Sequence, residues 1–225
     1  MPPKSILTFS QIARAESKYP RIQTLYISLM IDKSFPLRDH SRCTATTCNL
    51  YQINKHTYKE QHQEEGCDCE QLLVKEEDLT GALFREDSFP YLRLKGDLHN
   101  LTYEIVELGT APYIAISHVW ADGLGNPHAN SLHKCKLHHL RELVNVIEPM
   151  STHAEGEGPL IWLDTLCCPA KNGPGKQMAI EKIRLVYQRA KHVLVLDAGL
   201  MAYDGRGQDA TEVLVRIFTS SWMRR

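Results

Sequence analysis

Tyr113-Ile114-Ala115-Ile116-Ser117-His118-Val119, and LIWLDTL at 160–166, decide the fold. Each is a short, nearly continuous apolar run with β-branched or aromatic residues. Such runs read as strands covered on both faces. Between them the turn formers of 121–127 lead to Asn130 or Ser131, either of which can cap a helix reaching Ile147. Leu137, Leu140, Val144 and Ile147 share one face of that helix, and Pro149 stops it. The polar stretch 151–158 then connects to the second strand. After a turn over 169–175, residues 176–190 predict another helix, its inner face made by Ala179, Ile183, Val186, Tyr187 and Ala190. A third strand (VLVL, 193–196) and a helix over 209–218 follow. Alternating strands and helices predict an α/β fold, an open doubly wound, mostly parallel sheet with helices on both faces.

Working outward, the composition shifts near residue 110. Residues 1–109 read as an N-terminal extension with an irregular Cys/His-rich segment at 43–69, and residues 110–225 as the α/β domain. Within the extension, 101–108 (LTYEIVEL) alternates like a strand, closed by Gly109 and Pro112. Residues 60–78 hold eight acidic side chains against Lys75 alone, which reads as a solvated face.

The chain has 225 residues, with 26 Lys and Arg against 27 Asp and Glu. That balance creates no field to attract polyanions and excludes a dedicated nucleic-acid binder. No apolar run approaches the roughly 20 residues of a membrane span. Gln11, Arg14 and Glu16 interrupt the only N-terminal stretch that could serve as a secretory leader. The expected location is therefore cytoplasmic, where the seven cysteines are thiols or metal ligands rather than disulfides.

In a doubly wound sheet ligands gather beyond the carboxyl ends of the strands. This singles out His118, Trp120 and Asp122 after the first strand, Asp164, Thr165, Cys167 and Cys168 at the second, and Asp197 after the third. Two phosphate-binding patterns fail. Gly123-Leu124-Gly125 has His128 where the third glycine of a dinucleotide fingerprint belongs, and Gly175-Lys176-Gln177 lacks the hydroxyl and the opening glycine of a P-loop. Cys167 or Cys168 beside His118 fits a thiol nucleophile, although a cysteine next to a buried strand is more often a small apolar residue. Asp164 reads equally as a ligand contact or as the acceptor that ties down its own turn. Trp120 reads as a packed lid.

Cys43-x4-Cys48 followed by His62-x4-Cys67-Asp68-Cys69 has the thiolates and imidazole that suit a tetrahedral structural zinc. The spacing matches no standard finger, and reduced thiols are the alternative.

Residues 113–120 (YIAISHVW) resemble the opening signature of fungal heterokaryon-incompatibility (HET) domains, Tyr-x-Ala-Leu-Ser-Tyr-x-Trp-Gly. Residues 161–167 (IWLDTLC) resemble their second signature, and Ser220-Ser221-Trp222-Met223-Arg224-Arg225 resembles Ser-x-Trp-x-x-Arg. The block 117–135 (SHVWADGLGNP…N.L..C) resembles a branch with a Cys/His-rich stretch upstream. The resemblance implies a Toll/interleukin-receptor (TIR) or flavodoxin-like fold and a role in nonself recognition that ends in regulated cell death. It also implies protein partners or self-assembly through the domain.

Some TIR domains cleave NAD with a glutamate on a helix after the third strand, which brings in NAD as a ligand or substrate. In the family that glutamate is expected beyond the position of Arg225, so the chain reads as C-terminally truncated; Glu212 does not take its place. His118 also replaces the usual Tyr, and Cys168-Pro169-Ala170 stands where Ile-Asn-Gln is common. Three functions follow: a signalling module, a NAD-cleaving hydrolase with His118, Asp122 and Asp164 lining its site, or an inactive remnant.

Overall fold

The computed structural model describes residues 41, 43–44, 52–107, 111–148, 158–202 and 210–223. Cys48 and the 151–157 connection fall outside them. The chain divides into two compact units, Asn54–Val195 and a second formed by Met1–Ile53 with Leu196–Arg225.

The elements of the first unit run in the order β1 (Gln71–Leu73), α1 (Glu76–Leu83), β2 (Pro90–Lys95), β3 (Thr102–Glu107), β4 (Tyr113–His118), a 3-10 turn (Trp120–Asp122), β5 (Ser131–His133), α2 (Lys134–Ile147), β6 (Leu160–Leu163), α3 (Asp164–Cys167), α4 (Pro174–Arg189) and β7 (His192–Leu196). Five strands make one sheet in the order β3-β2-β6-β4-β7. Strands β4 and β6 are parallel, Tyr113 opposite Leu160 and Ile116 opposite Leu163, with α2 in the crossover. Both are buried along nearly their whole length, as their continuous apolar runs require.

The sheet is mixed, however, and not the mostly parallel doubly wound sheet that the sequence pattern predicts. Strand β2 pairs antiparallel with both β3 and β6. The antiparallel pairing with β3 follows from the short connection between the two strands, because a parallel return needs a crossover of about a dozen residues. Gly96 opens that turn at φ +86°, and a Cβ there would lie 2.3 Å from the Asn100 carbonyl oxygen. The Asp97 carboxylate accepts from the backbone N–H groups of His99 (3.0 Å) and Asn100 (2.9 Å). The hairpin comes from before residue 110 yet completes the sheet that carries β4 and β6.

Two boundaries also differ from the sequence pattern. The α2 helix begins at Lys134, not at a cap on Asn130 or Ser131, because Ser131–His133 pair with Gln71–Leu73 as a separate two-stranded sheet. Strand β6 ends at Leu163, and the apolar residues after it wind into the single turn α3.

Trp162, Leu163, Ile114, Ile116, Leu137 and Leu140 are fully buried at the centre. Each large side chain removed from water in this way contributes about 1.5–3 kcal/mol. From α4, Ala179 and Val186 are buried, Tyr187 meets Trp162 edge-on at 5.7 Å between ring centroids, and the Tyr113 hydroxyl donates to the Val186 carbonyl.

Helix α4 also holds the connection from α1 to β2. The Lys182 ammonium donates to the carbonyls of Leu83 (2.8 Å), Arg85 (2.6 Å) and Ser88 (2.8 Å). Arg189 donates to the Asp87 carbonyl at 2.9 Å, and Asp87 takes the left-handed conformation at φ +56°. Three carbonyls thus share one cation at the end of α1.

In the second unit, α5 (Ala198–Met201) and α6 (Ala210–Thr219) follow β7. Leu214 and Ile217 are the buried side of α6.

Replacing Lys182 by Met keeps the aliphatic stem and removes the three donors. Urea unfolding is expected to show a loss of about 2 kcal/mol; a change within about 0.3 kcal/mol would show that the carbonyls do not need the cation.

Candidate functional site

The parallel register of β4 and β6 brings their carboxyl ends together, so His118 and Asp164 meet although 46 positions apart. The Asp164 carboxylate receives three short hydrogen bonds, with the Thr165 hydroxyl farther off at 3.3 Å. His118 Nε2 lies 2.7 Å from Oδ1, Trp120 Nε1–H donates to Oδ2 at 2.9 Å, and the Thr165 backbone N–H donates to Oδ1 at 2.6 Å. An ionised carboxylate only accepts, so His118 Nε2 carries the hydrogen of this contact. His118 Nδ1 is buried with no hydrogen-bond partner among the described residues. Burial alone would raise the Asp164 carboxyl, but the His118 charge and the hydrogen bonds outweigh it and hold the group below the usual carboxylate range.

The loop between β4 and β5 is shaped around the same group. Gly123 sits at φ +90°, and a Cβ on Gly125 would lie 2.8 Å from the Trp120 ring. These glycines therefore serve the turn and the indole. The Asn126 amide donates to Ser131 (3.1 Å to the carbonyl, 3.0 Å to Oγ), while its Oδ1 accepts from the N–H groups of His128 and Ala129. The Thr165 hydroxyl donates to the Leu124 carbonyl at 2.6 Å. Asn130 is buried and spans three backbone groups: its amide donates to the carbonyls of Thr165 (2.9 Å) and Cys168 (2.5 Å), and its Oδ1 accepts from Ala170 N–H (2.9 Å). A cavity of about 200 Å³ lies beside this knot, bounded by Lys55, Trp120, Asp164, Thr165, Cys168 and Lys176.

Other predicted site residues stand in different surroundings. Asp122 lies in the 3-10 turn after Trp120, its N–H donating to the Val119 carbonyl. Cys167 is fully buried, and burial pushes its thiol up to about 12; burial also raises Cys168 well above the ordinary thiol value. Neither is poised as a thiolate at neutral pH. Asp197 belongs to the second unit. There it caps α5, Oδ1 accepting from Leu200 N–H at 3.0 Å and Oδ2 from Trp222 N–H at 2.9 Å.

A second cluster lies within the first unit. His62, Cys67, Cys69 and Cys135 bring one ligand atom each within 4.8 Å of one another, a grouping that can hold a metal ion. His62 Nδ1 is 3.6 Å from the sulfurs of both Cys69 and Cys135. Its ring stacks on His133 at 3.6 Å between centroids, and His133 Nδ1 lies 3.2 Å from the Cys69 carbonyl oxygen. Burial pushes the Cys69 thiol up to about 11, whereas the Cys69 backbone N–H lowers that of Cys67. Of the other predicted ligands, Cys43 belongs to the second unit and Cys48 lies outside the described residues.

Residues 113–224 match the family model described as Heterokaryon incompatibility protein (HET). The match supports the HET family. No curated protein matches the chain, and no solved structure does.

Within the HET stretch, the two signatures that carry the resemblance supply the carboxylate knot: His118 and Trp120 from the first, Asp164 and Thr165 from the second. Asn126, Asn130 and Cys135 were not among the residues predicted for the site. The first two were visible only as turn formers or caps, and Cys135 stands alone on a helix, far from the other cysteines in sequence.

The Asp164→Asn variant is expected to lose about 2–3 kcal/mol at pH 7, since it removes a charged acceptor from three donors. A carboxyl lowered in the folded state stabilises above its unfolded value and loses that contribution as pH falls through the folded value. The gap between wild type and variant in thermal or urea unfolding should thus be full near neutrality and close below about pH 4. A gap that persists unchanged at low pH would contradict an ionised Asp164.

Proposed function

We propose that the chain is a signalling module of the heterokaryon-incompatibility type, a TIR-like α/β domain in the cytoplasm of a fungus. Its output is regulated cell death, reached through protein partners or self-assembly. The supporting observation is the use made of the two signatures. Asp164, Trp120, His118 and Thr165 spend their polar groups on one another and on the loops around them. Trp120 and Asp164 stand at signature positions of the family, and side chains engaged in holding a surface in shape suit recognition better than turnover.

One further observation favours this reading over a NAD-cleaving hydrolase. The cavity of about 200 Å³ is smaller than the ~300–1,000 Å³ usual for small-molecule sites. A structural zinc ion in the Cys/His cluster belongs to the same reading, since three thiols and an imidazole suit that ion.

Induced expression in a filamentous fungus tests the proposal. The wild-type chain is expected to arrest growth, and Asp164→Asn at equal soluble abundance is expected not to. Arrest that survives this substitution would overturn the role given to the knot. Purified protein incubated with NAD is expected to release no nicotinamide; release that depends on Asp164 would move the assignment to the hydrolase.

A further inference from the structure

Residues 54–70 form a strap that crosses the loop carrying Trp120, and its composition does not explain why it stays there. The strap contains one aromatic residue, Tyr58, no aliphatic side chain larger than a methylene stem, and neither helix nor strand. Ordering a residue costs about 1–2 kcal/mol of backbone entropy. So polar a segment buries too little apolar surface to offset that. Its direct bonds to the loop are few. The Tyr58 hydroxyl donates to the Trp120 carbonyl at 3.1 Å, and His128 Nε2 lies 3.0 Å from the Lys55 carbonyl oxygen. Gln61 packs on Gly123 so closely that a Cβ there would lie 2.6 Å from its Oε1.

A further attachment lies at the C-terminal end of the strap, where Glu70 also bonds the backbone N–H and the ammonium of Lys134. We infer that His62, Cys67 and Cys69 of the strap and Cys135 of α2 form one Cys3His zinc site, and that the ion fastens the strap over residues 120–128. The inference rests on the zinc reading of the cluster, adding its consequence for the strap.

With Zn–S near 2.3 Å and Zn–N near 2.0–2.1 Å, tetrahedral angles put nitrogen and sulfur about 3.5–3.6 Å apart. His62 Nδ1 stands 3.6 Å from two sulfurs at once. Hydrogen bonding accounts for only one of these, because a neutral Nδ1 offers one lone pair to one thiol proton. A cation between them accounts for both. Two backbone donors already point at the sulfurs: Gln63 N–H reaches Cys135 Sγ at 3.2 Å, and Cys135 N–H reaches Cys69 Sγ at 3.4 Å. Such donors spread thiolate charge in metal sites. Three soft thiolates with one imidazole and no carboxylate select zinc over calcium or magnesium.

Full-length protein prepared with zinc is expected to carry about one ion per chain, and cobalt in its place should give the visible bands of a tetrahedral, thiolate-rich site. Cys135→Ser should weaken zinc binding by at least ~100-fold, beyond the usual loss from a supporting residue. Cys135→His, which restores a fourth ligand, should retain the ion and so separate ligation from folding. Cys43→Ser should bind as wild type does.

Removing zinc with a chelator should speed tryptic cleavage after Lys55 and Lys59 by about tenfold or more, as an opened segment allows. Absence of zinc in every preparation would overturn the zinc reading itself. Zinc kept by Cys135→Ser but lost by Cys43→Ser would overturn the ligand set. Stoichiometric zinc whose removal leaves cleavage unchanged would overturn the fastening of the strap.

Discussion

An ionised carboxylate at the end of a buried strand must find donors outside that strand, and Asp164 draws them from three directions. His118 comes from the neighbouring parallel strand, Trp120 from the turn after it, and Thr165 from its own helical turn. Had the two strands paired antiparallel, their carboxyl ends would lie at opposite edges of the sheet and the contact could not form. The rest follows from this joint. Trp120, held by its indole N–H, requires Gly125 beneath it; Thr165, held by its N–H, turns its hydroxyl to the Leu124 carbonyl. Asn130 then secures α3 and the segment after it, through Thr165, Cys168 and Ala170. The loop between β4 and β5 is thereby built from both signature stretches.

The part of the fold that sequence reveals is the part where side chains are buried on every side. Strands β4, β6 and β7 and helices α2, α4 and α6 all appear within a few residues of their pattern, because continuous apolar runs and a helical apolar face leave little choice. The edges are less legible. PYLRLK in β2 opens with Pro90 and carries Arg93 and Lys95, so it lacks the signature of a central strand even though β6 pairs with it. Three-residue strands such as β1 and β5 have no pattern of their own and exist through their partner. The turn α3 is hidden for the opposite reason: Leu166 and Cys167 are as apolar as the strand before them, and only the geometry around Asp164 bends the chain there.

The site shows the same division. His118, Trp120, Asp164 and Thr165 could be picked out because strand ends are identifiable and the first three are chemically conspicuous. The partnership of Asp164 with its own turn and with His118 at once could not be picked out, since it depends on register. The Cys/His cluster marks a different limit. His62, Cys67 and Cys69 announce themselves by local spacing, whereas the sulfur that joins them comes from Cys135 at the start of α2. Spacing rules pair cysteines that are close in sequence, and so they favoured Cys43 and Cys48. The signal that could have pointed to Cys135 was its place in the same block as the glycine-rich loop, which binds the strap.

Because the carboxylate joint carries the account, the coupling between its members is the most direct thing to measure. A double-mutant cycle combines His118→Gln with Asp164→Asn, each variant unfolded in urea near neutral pH. Groups in direct contact within one network couple by about 0.5–3 kcal/mol, and the upper half of that range is expected here. Additive effects within about 0.3 kcal/mol would mean that the two residues act independently and that the joint does not exist in solution.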